Sequence, residues 1–111
     1  GMKVITTNEL RRKGPENIVR SVVRYLADCT DIYVSFDVDC LDSGITKGTG
    51  TSVENGLKER EAEDLVSKFM QVRKICCFEI TEVNPTLDRE NLMAEIAFNI
   101  LQRIVNILMM N

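Results

Sequence analysis

The chain has 111 residues, enough for one modest domain with a single core, and its 44% hydrophobic and 28% charged residues are ordinary for a globular protein. The net charge of −3 argues against a nucleic-acid surface, because phosphate binding needs a clustered excess of lysine and arginine. The chain contains no histidine, which excludes a Ser/His/Asp triad, a Cys/His pair and any metal site that needs imidazole from these residues.

We expect residues 1–111 to form a single domain, with Gly1 a scar of tag removal before Met2. No stretch is predicted to span a bilayer and no signal peptide opens the chain. The four cysteines form no CxxC pair, which favours buried free thiols over a zinc site. These features predict a cytoplasmic protein with no membrane partner.

The first predicted elements are a short strand, MKVIT at 2–6, and a polar stretch with room for a helical turn. Gly14 and Pro15 then open a helix, because proline suits the first turn, where its missing N–H has no intrahelical acceptor. Apolar residues at helical spacing follow. The predicted buried face of this helix comprises Ile18, Val19, Val22, Val23 and Leu26.

DIYVSFDV at 31–38 is the second predicted strand, and its nearly continuous apolar run predicts burial on both faces of a parallel sheet. A long loop rich in glycine, serine and threonine occupies 40–57, and such loops in compact domains are usually functional. A helix is predicted from about Glu59 to Gln71. Its apolar face comprises Ala62, Leu65, Val66 and Phe69.

KICCFEI at 74–80 is the third predicted strand, and TEVNPTLD at 81–88 is the loop after it. Asp88 is placed to cap the last helix, whose end from Ile107 to Met110 is apolar nearly all round and is predicted to pack against something else. The residues of that helix predicted to face inward are Met93, Ile96, Ala97, Ile100, Leu101 and Ile104.

The alternation of strands and helices, β-α-β-α-β-α, predicts an α/β fold with a parallel sheet. Ligands of such sheets gather at the carboxyl ends of the strands, where DVDCLD and EITEVNP both lie. Asp37 and Asp39 share a face there, and close carboxylates favour a bound cation, for which Mn²⁺ or Mg²⁺ suits oxygen ligands. A DxD pair alone is a weak signal, so two alternatives remain open: solvated loop acids, and the nucleophile segment of a haloacid-dehalogenase-like phosphatase.

Two longer segments carry a more specific signal. SFDVDCLDSGITKGTGTSVENGL at 35–57 and EITEVNPTLDRENLMAEIAFNIL at 79–101 resemble the C-terminal part of arginases and related ureohydrolases. That family carries SFDVDxxDP, GTGTPxxGGL and EVNPxLD followed by a helix, and the resemblance covers about residues 3–106. It implies a partial arginase-like fold, a three-layer α/β/α parallel sheet.

The resemblance also implies roles for individual residues. Asp37 matches the carboxylate that bridges two manganese ions, and Asp39 matches a ligand of one of them. Thr51 matches a residue of the substrate pocket, and Glu82 matches the partner of the guanidinium or amidine group, for which a fixed carboxylate is suited. The implied activity is manganese-dependent hydrolysis of a guanidino substrate, arginine to ornithine and urea.

Neighbouring residues receive lesser roles. Asn84 and Pro85 are predicted to shape the turn that holds Glu82. Asp42 is predicted to make hydrogen bonds, either to the metal ligands or within the loop, rather than to bind metal. The role of Glu79 stays open, with an ion-pair acid as one interpretation. The sequence departs from the family pattern where Ser43 and Ser52 replace prolines and where Asn55 stands before a single glycine, changes that loosen turns.

The family's remaining metal ligands, a histidine and a DxHxD cluster, lie earlier in its chains and are missing here. We therefore expect an incomplete metal site and no activity from this chain alone. The alternatives are a non-catalytic remnant that self-associates, a half-enzyme that complements an N-terminal part, or agmatinase or formimidoylglutamase specificity.

The fragment also predicts association. In the family's sheet the strand matching MKVIT lies far from the other two, so here it must pair beside DIYVSFDV or find another partner. Unpaired strand edges favour association, and we expect a homo-oligomer with the apolar surface at Ile107–Met110 in the contact.

Overall fold

The computed structural model describes residues 1–42, 44, 53–88 and 91–110. They form four α-helices, two β-strands and a short 3₁₀ turn. In chain order these are α1 (Thr7–Lys13), α2 (Pro15–Tyr25), β1 (Ile32–Asp37), the 3₁₀ turn (Val38–Cys40), α3 (Glu59–Met70), β2 (Ile75–Thr81) and α4 (Leu92–Met109).

The two strands pair in parallel and are joined through α3. Val34 lies opposite Phe78, Phe36 opposite Ile80 and Asp37 opposite Thr81. A parallel pair needs a crossover connection, and a helix is its usual form. The predicted α/β fold with a parallel sheet is confirmed.

Local sequence accounts for the two N-terminal helices. The backbone N–H of Glu9 donates to Thr6 Oγ1 at 3.1 Å, so Thr6 caps α1. Gly14 separates the helices at φ +83°, a conformation that L side chains rarely adopt. Pro15 is the first residue of α2, as the sequence predicts.

Asp88 caps α4 from outside the helix, in agreement with its predicted role. Its Oδ1 accepts from Met93 N at 2.8 Å and its Oδ2 from Ala94 N at 2.9 Å. Both donors are first-turn N–H groups with no partner inside the helix, so one carboxylate satisfies two of them and complements the helix dipole.

One core unites all four helices with a single face of the sheet. Phe36 is its strand residue, and its partly buried neighbours Phe78 and Ile80 belong to β2. The buried helical residues of the core are Leu10, Ile18, Ala62, Val66, Met70, Met93, Ile96, Ile100 and Ile104.

The other face of the sheet is open, so the prediction of burial on both faces is wrong. Tyr33 and Ser35 of β1 are exposed, as are Cys77 and Glu79, which lie opposite them on β2. The reason is that the helices described all pack on the opposite side. Two of the three predicted layers are therefore present in the residues described.

The free cysteines differ from their prediction as buried thiols. Cys29, Cys76 and Cys77 are exposed, and Cys40 is partly buried. The two adjacent cysteines lie on β2, where one face and one edge of the sheet are uncovered, so an apolar strand sequence does not secure burial there.

The predicted strand MKVIT is also wrong, because residues 2–6 form no strand. A strand needs a neighbouring edge, and the segment lies against α2 instead: Lys3 Nζ lies 5.6 Å from the centre of the Tyr25 ring, and the Tyr25 hydroxyl donates to the Gly1 carbonyl. Met2 and Val4 point into solvent while Ile5 reaches the core.

Helix α4 corrects two expectations. Leu101, predicted to face inward, is exposed. In the part of the chain that is described, α4 alone is long and apolar enough, by length and composition, to cross a membrane, which overturns the expectation that no stretch qualifies. Core helices pass the same test, and one face of α4 lies in the core, so this is weak evidence for a span.

Candidate functional site

The candidate site begins where β1 ends. Asp37 is the last residue of the strand, and its Oδ1 accepts from Asp39 N at 2.8 Å, which starts the 3₁₀ turn. This bond fixes both acids at the carboxyl edge of the sheet. Asp37 is exposed, whereas Asp39 is half-buried.

Apolar residues between the acids hold this turn in place. Val38 and Leu41 are fully buried, and Phe36 lies in the core just before them. Each buried side chain anchors the backbone and leaves the neighbouring acid at the surface. The chain therefore ends a core strand in carboxylates without burying them together.

Backbone hydrogen bonds join Leu57 to the residues that follow the strand end. Leu57 N donates to Cys40 O at 2.8 Å and Asp42 N donates to Leu57 O at 2.9 Å. A Cβ added to Gly56 would lie 2.7 Å from Cys40 O and 2.8 Å from Asp42 N, so this approach requires glycine. Asp42 Oδ2 accepts from Gly44 N at 3.1 Å, the kind of loop hydrogen bond predicted for it.

Arg11 of α1 secures the same loop from the other side. Its Nε and Nη2 donate to the two oxygens of Glu61 at 2.8 and 2.9 Å, its Nη1 to Asn55 Oδ1 at 2.7 Å, and its Nη2 to Gly56 O at 2.9 Å. The Arg11 hydrogen bond, helped by Lys58 N, lowers the pKa of Glu61 to about 2. Sequence reasoning missed this network.

These elements enclose a cleft of about 660 Å³ with Asp37 and Asp39 in its wall. Its other lining residues are mostly apolar and come from the N-terminal segment, α1, α2, α3 and residues 53–57. They include Ile5, Leu10, Ile18, Val22, Leu65 and Phe69. The cleft thus combines mostly apolar walls with three acids, Asp37, Asp39 and Glu54.

Burial and those acids both affect the pKa of the Cys40 thiol. Burial raises its pKa to about 11, and the negative charges of Asp37 and then Asp39 act in the same direction. The strand end is therefore a region of negative potential, which suits a cation.

Glu82 lies at the same edge of the sheet but not in that cleft. It follows Thr81, which pairs with Asp37, so the two acid-bearing segments lie at the carboxyl ends of neighbouring strands. Glu82 is exposed, has φ +70°, and is not among the residues that line the cleft with Asp37. A non-glycine residue in this conformation is uncommon.

The turn after Glu82 is built as predicted. Asn84 Oδ1 accepts from Thr86 N at 3.0 Å and from Thr86 Oγ1 at 2.6 Å, and Leu87 N donates to Asn84 O at 3.1 Å. The side chain of Asn84 thus takes the place of a backbone acceptor, as in an Asx turn.

Glu79 faces the open side of the sheet rather than the cleft. It accepts a hydrogen bond from Ser35 Oγ at 2.7 Å. Tyr33 first and Ser35 second lower the pKa of Glu79, which in turn raises that of Tyr33 to about 12. Its described partners are hydroxyls and not the cation of an ion pair.

The residues described provide only part of the ligand set expected for two manganese ions. Thr51 lies outside the residues described. Across residues 1–42, 44, 53–88 and 91–110, no three or more His, Cys, Asp or Glu residues form a group that could hold a metal ion. Asp37 and Asp39 are suitable oxygen donors, but two carboxylates do not fit a dinuclear manganese centre by themselves.

Comparison with known proteins relates nearly the whole chain to one group. Residues 1–106 match the model of the arginase family. The chain is 31% identical to an arginase of Bacillus subtilis (strain 168) over 105 residues, which cover 95% of this chain and 36% of that protein. It thus spans about a third of the length of the curated relatives it matches.

Solved structures agree. A crystal structure of arginase from Bacillus subtilis superposes with a TM-score of 0.85 at 32% identity, covering 94% of this chain and 39% of that one. The formimidoylglutamase from Bacillus subtilis subsp. subtilis str. 168 superposes with a TM-score of 0.88 at 25% identity, covering 96% and 34%.

Proposed function

The chain belongs to the arginase family, and on that premise we propose that it is the carboxylate-bearing part of a manganese-dependent ureohydrolase that acts on a guanidino substrate. The substrate that we propose is arginine, hydrolysed to ornithine and urea. The chain by itself is inactive in this proposal.

The observation that carries the proposal is the placement of Asp37 and Asp39 in one wall of a mostly apolar cleft. A guanidino substrate joins an apolar chain to a planar cation, and such a cleft complements both. The roles assigned to the two aspartates as manganese ligands, to Glu82 as guanidinium partner and to Thr51 as a pocket residue remain predictions. Bound manganese supplies the family with an activated water.

The incomplete ligand set determines what the chain can do alone. The missing histidine and DxHxD ligands come, in this proposal, from another chain or segment, which makes the present chain one half of a composite site. No chemical step is assigned to the half-site, because its carboxylates have no complete metal centre to act through.

A second candidate function is a non-catalytic domain that folds and self-associates. The position of Glu82 favours it, since this acid lies at the right edge of the sheet but outside the cleft. Within the enzymatic proposal, the structural likeness to a formimidoylglutamase keeps that specificity as an alternative to arginine. Agmatinase specificity is a further alternative.

Titration with Mn²⁺, followed by electron paramagnetic resonance to separate free from bound ion, tests the half-site. We expect weak binding that Asp37→Asn lowers at least tenfold, because this substitution removes one of two ligands. Asp28→Asn is the matched control, an exposed acid remote from the cleft. Equal binding by both variants contradicts the proposal.

Urea release from arginine separates the two candidate functions. We expect none from the chain alone with Mn²⁺, and release when a segment carrying the histidine and DxHxD ligands is added. An N-terminal segment of the Bacillus subtilis arginase is a suitable source. A folded complex without urea release favours the non-catalytic domain, and release by the chain alone overturns the half-site.

A further inference from the structure

Helix α4 carries a second apolar stripe beside the one that enters the core. Its members, which we call the outer stripe, are Phe98, Leu101, Val105 and Leu108, exposed by 61%, 47%, 43% and 52%. The buried members of the same helix are Met93, Ile96, Ile100 and Ile104.

The spacing of the outer stripe is that of a helix–helix seam. Successive members are three, four and three residues apart, which is the a/d spacing of a coiled coil. This spacing is the same in both directions along the helix. Two copies of the stripe therefore match each other whether the helices run parallel or antiparallel, as an isologous contact about a two-fold axis requires.

The charges near the stripe do not oppose self-association. The polar side of α4 carries Asn99, Gln102 and Asn106, all uncharged. Its one basic residue, Arg103, is directed to α3, where Nη1 lies 3.0 Å from Glu63 Oε2 and 4.0 Å from Asp64 Oδ1. The acid of α4, Glu95, is exposed in the first turn, three residues before Phe98, so it lies at the end of the stripe and not between its members. Like charges that face each other across a two-fold axis would weaken a dimer, and the four members of the stripe carry none.

The exposed area is sufficient for a weak specific contact. With ~200 Å² for a large side chain, the outer stripe and Met109, which is 80% exposed, present roughly 500 Å² per protomer. Two copies would bury about 1,000 Å², the lower limit for a specific interface. The largest apolar patch on a monomer is of about this size and is often functional.

We propose that the outer stripe of α4 is the interface of a homodimer of this chain, with a dissociation constant in the micromolar range. A second copy fits because the stripe is self-matching, uncharged and large enough. This inference concerns assembly and does not depend on the proposed enzymatic role.

Sedimentation equilibrium at about 1 to 200 μM, in the presence of a reductant, measures the assembly. We expect the mass to rise with concentration from 12.6 kDa toward twice that value. The double variant Leu101→Glu/Val105→Glu puts charge at the centre of the stripe and should weaken association at least tenfold. The matched control, Asn99→Glu/Asn106→Glu, adds the same charges to the polar side of the same helix and should change it less than twofold.

Two further measurements separate the interface from a folding defect. Phe98→Ala removes an exposed ring without adding charge and should weaken association several-fold, with unchanged helical circular dichroism. Sulfate salts should strengthen the dimer, because they favour apolar burial. A chain that stays at 12.6 kDa up to 200 μM overturns the proposal, as does equal association of the two double variants, or a monomer that binds lipid vesicles through the stripe.

Discussion

The two strand ends that carry the candidate site are held in different ways. The end of β1 is held by the buried side chains of Val38 and Leu41 and by backbone hydrogen bonds to Leu57. Arg11 of α1 stabilises the same region through its hydrogen bond to Gly56 O. The end of β2 leads straight into exposed Glu82 at φ +70°. The strand end that carries Asp37 and Asp39 is therefore organised by this chain, whereas the strand end that carries Glu82 has fewer supports of its own.

Truncation of a leucine at each end should give the largest difference. Leu41→Ala removes a fully buried side chain and should lower the free energy of unfolding by about 2–5 kcal/mol. Leu87→Ala makes the same change in the loop after β2, where the side chain is exposed, and should cost less than about 0.5 kcal/mol. Urea denaturation measures both, and equal losses would refute the contrast.

A larger side chain at Gly56, where the chain returns to the end of β1, should have the next largest effect on stability. Gly56→Ala forces a Cβ against the backbone of residues 40–42 and should cost about 1–3 kcal/mol. Gly44→Ala is the matched control, because its Cβ meets only the end of the Asp42 side chain, at 3.0 Å. Thermal melting compares the two variants, and a Gly56→Ala protein as stable as the control would show that the loop is not held.

Low pH should weaken the ion pair between Arg11 and Glu61, and the resulting loss of stability should be the smallest of the three effects. The pKa of Glu61 is lowered in the folded state from 4.5 to about 2, so its contribution is complete above pH 4.5 and is lost as the pH falls toward 2. Arg11→Gln should lower the free energy of unfolding at pH 7, as urea denaturation measures it, and this difference from the parent should shrink over the same pH range.

The matched control for that titration is Arg20→Gln, which removes the partner of Glu16 from an ion pair in which both side chains are well exposed. It should change stability by less than about 0.5 kcal/mol at any pH. A difference between Arg11→Gln and the parent that persists unchanged at pH 2.5 would contradict the link through Glu61.

Much of the site could be predicted from local sequence patterns. The two acid-bearing strand ends were predicted to lie at one edge of the sheet, and the pairing of Asp37 with Thr81 confirms that, although Glu82 does not line the cleft with Asp37. The Asp88 cap and the Asn84 turn also follow from nearby residues. In each case the partners lie within a few residues or follow from sheet geometry.

The predictions that were wrong, and the network that was missed, depend on contacts between parts of the chain that a sequence pattern does not reveal. Arg11 and Glu61 are 50 residues apart, and no periodicity links them. MKVIT has strand-forming residues, but a strand exists only with a neighbour to pair with. Tyr33 and Ser35 are uncovered because burial depends on what packs against a face, and that is not encoded in the strand itself.

The adjacent thiols of Cys76 and Cys77 have a practical consequence for anyone who handles this protein. They are exposed on a strand whose neighbours leave them reachable from solvent, so air oxidation during storage will couple molecules covalently. Such species migrate as multimers on a non-reducing gel. Fresh dithiothreitol, or serine at both positions, keeps this chemistry apart from reversible assembly.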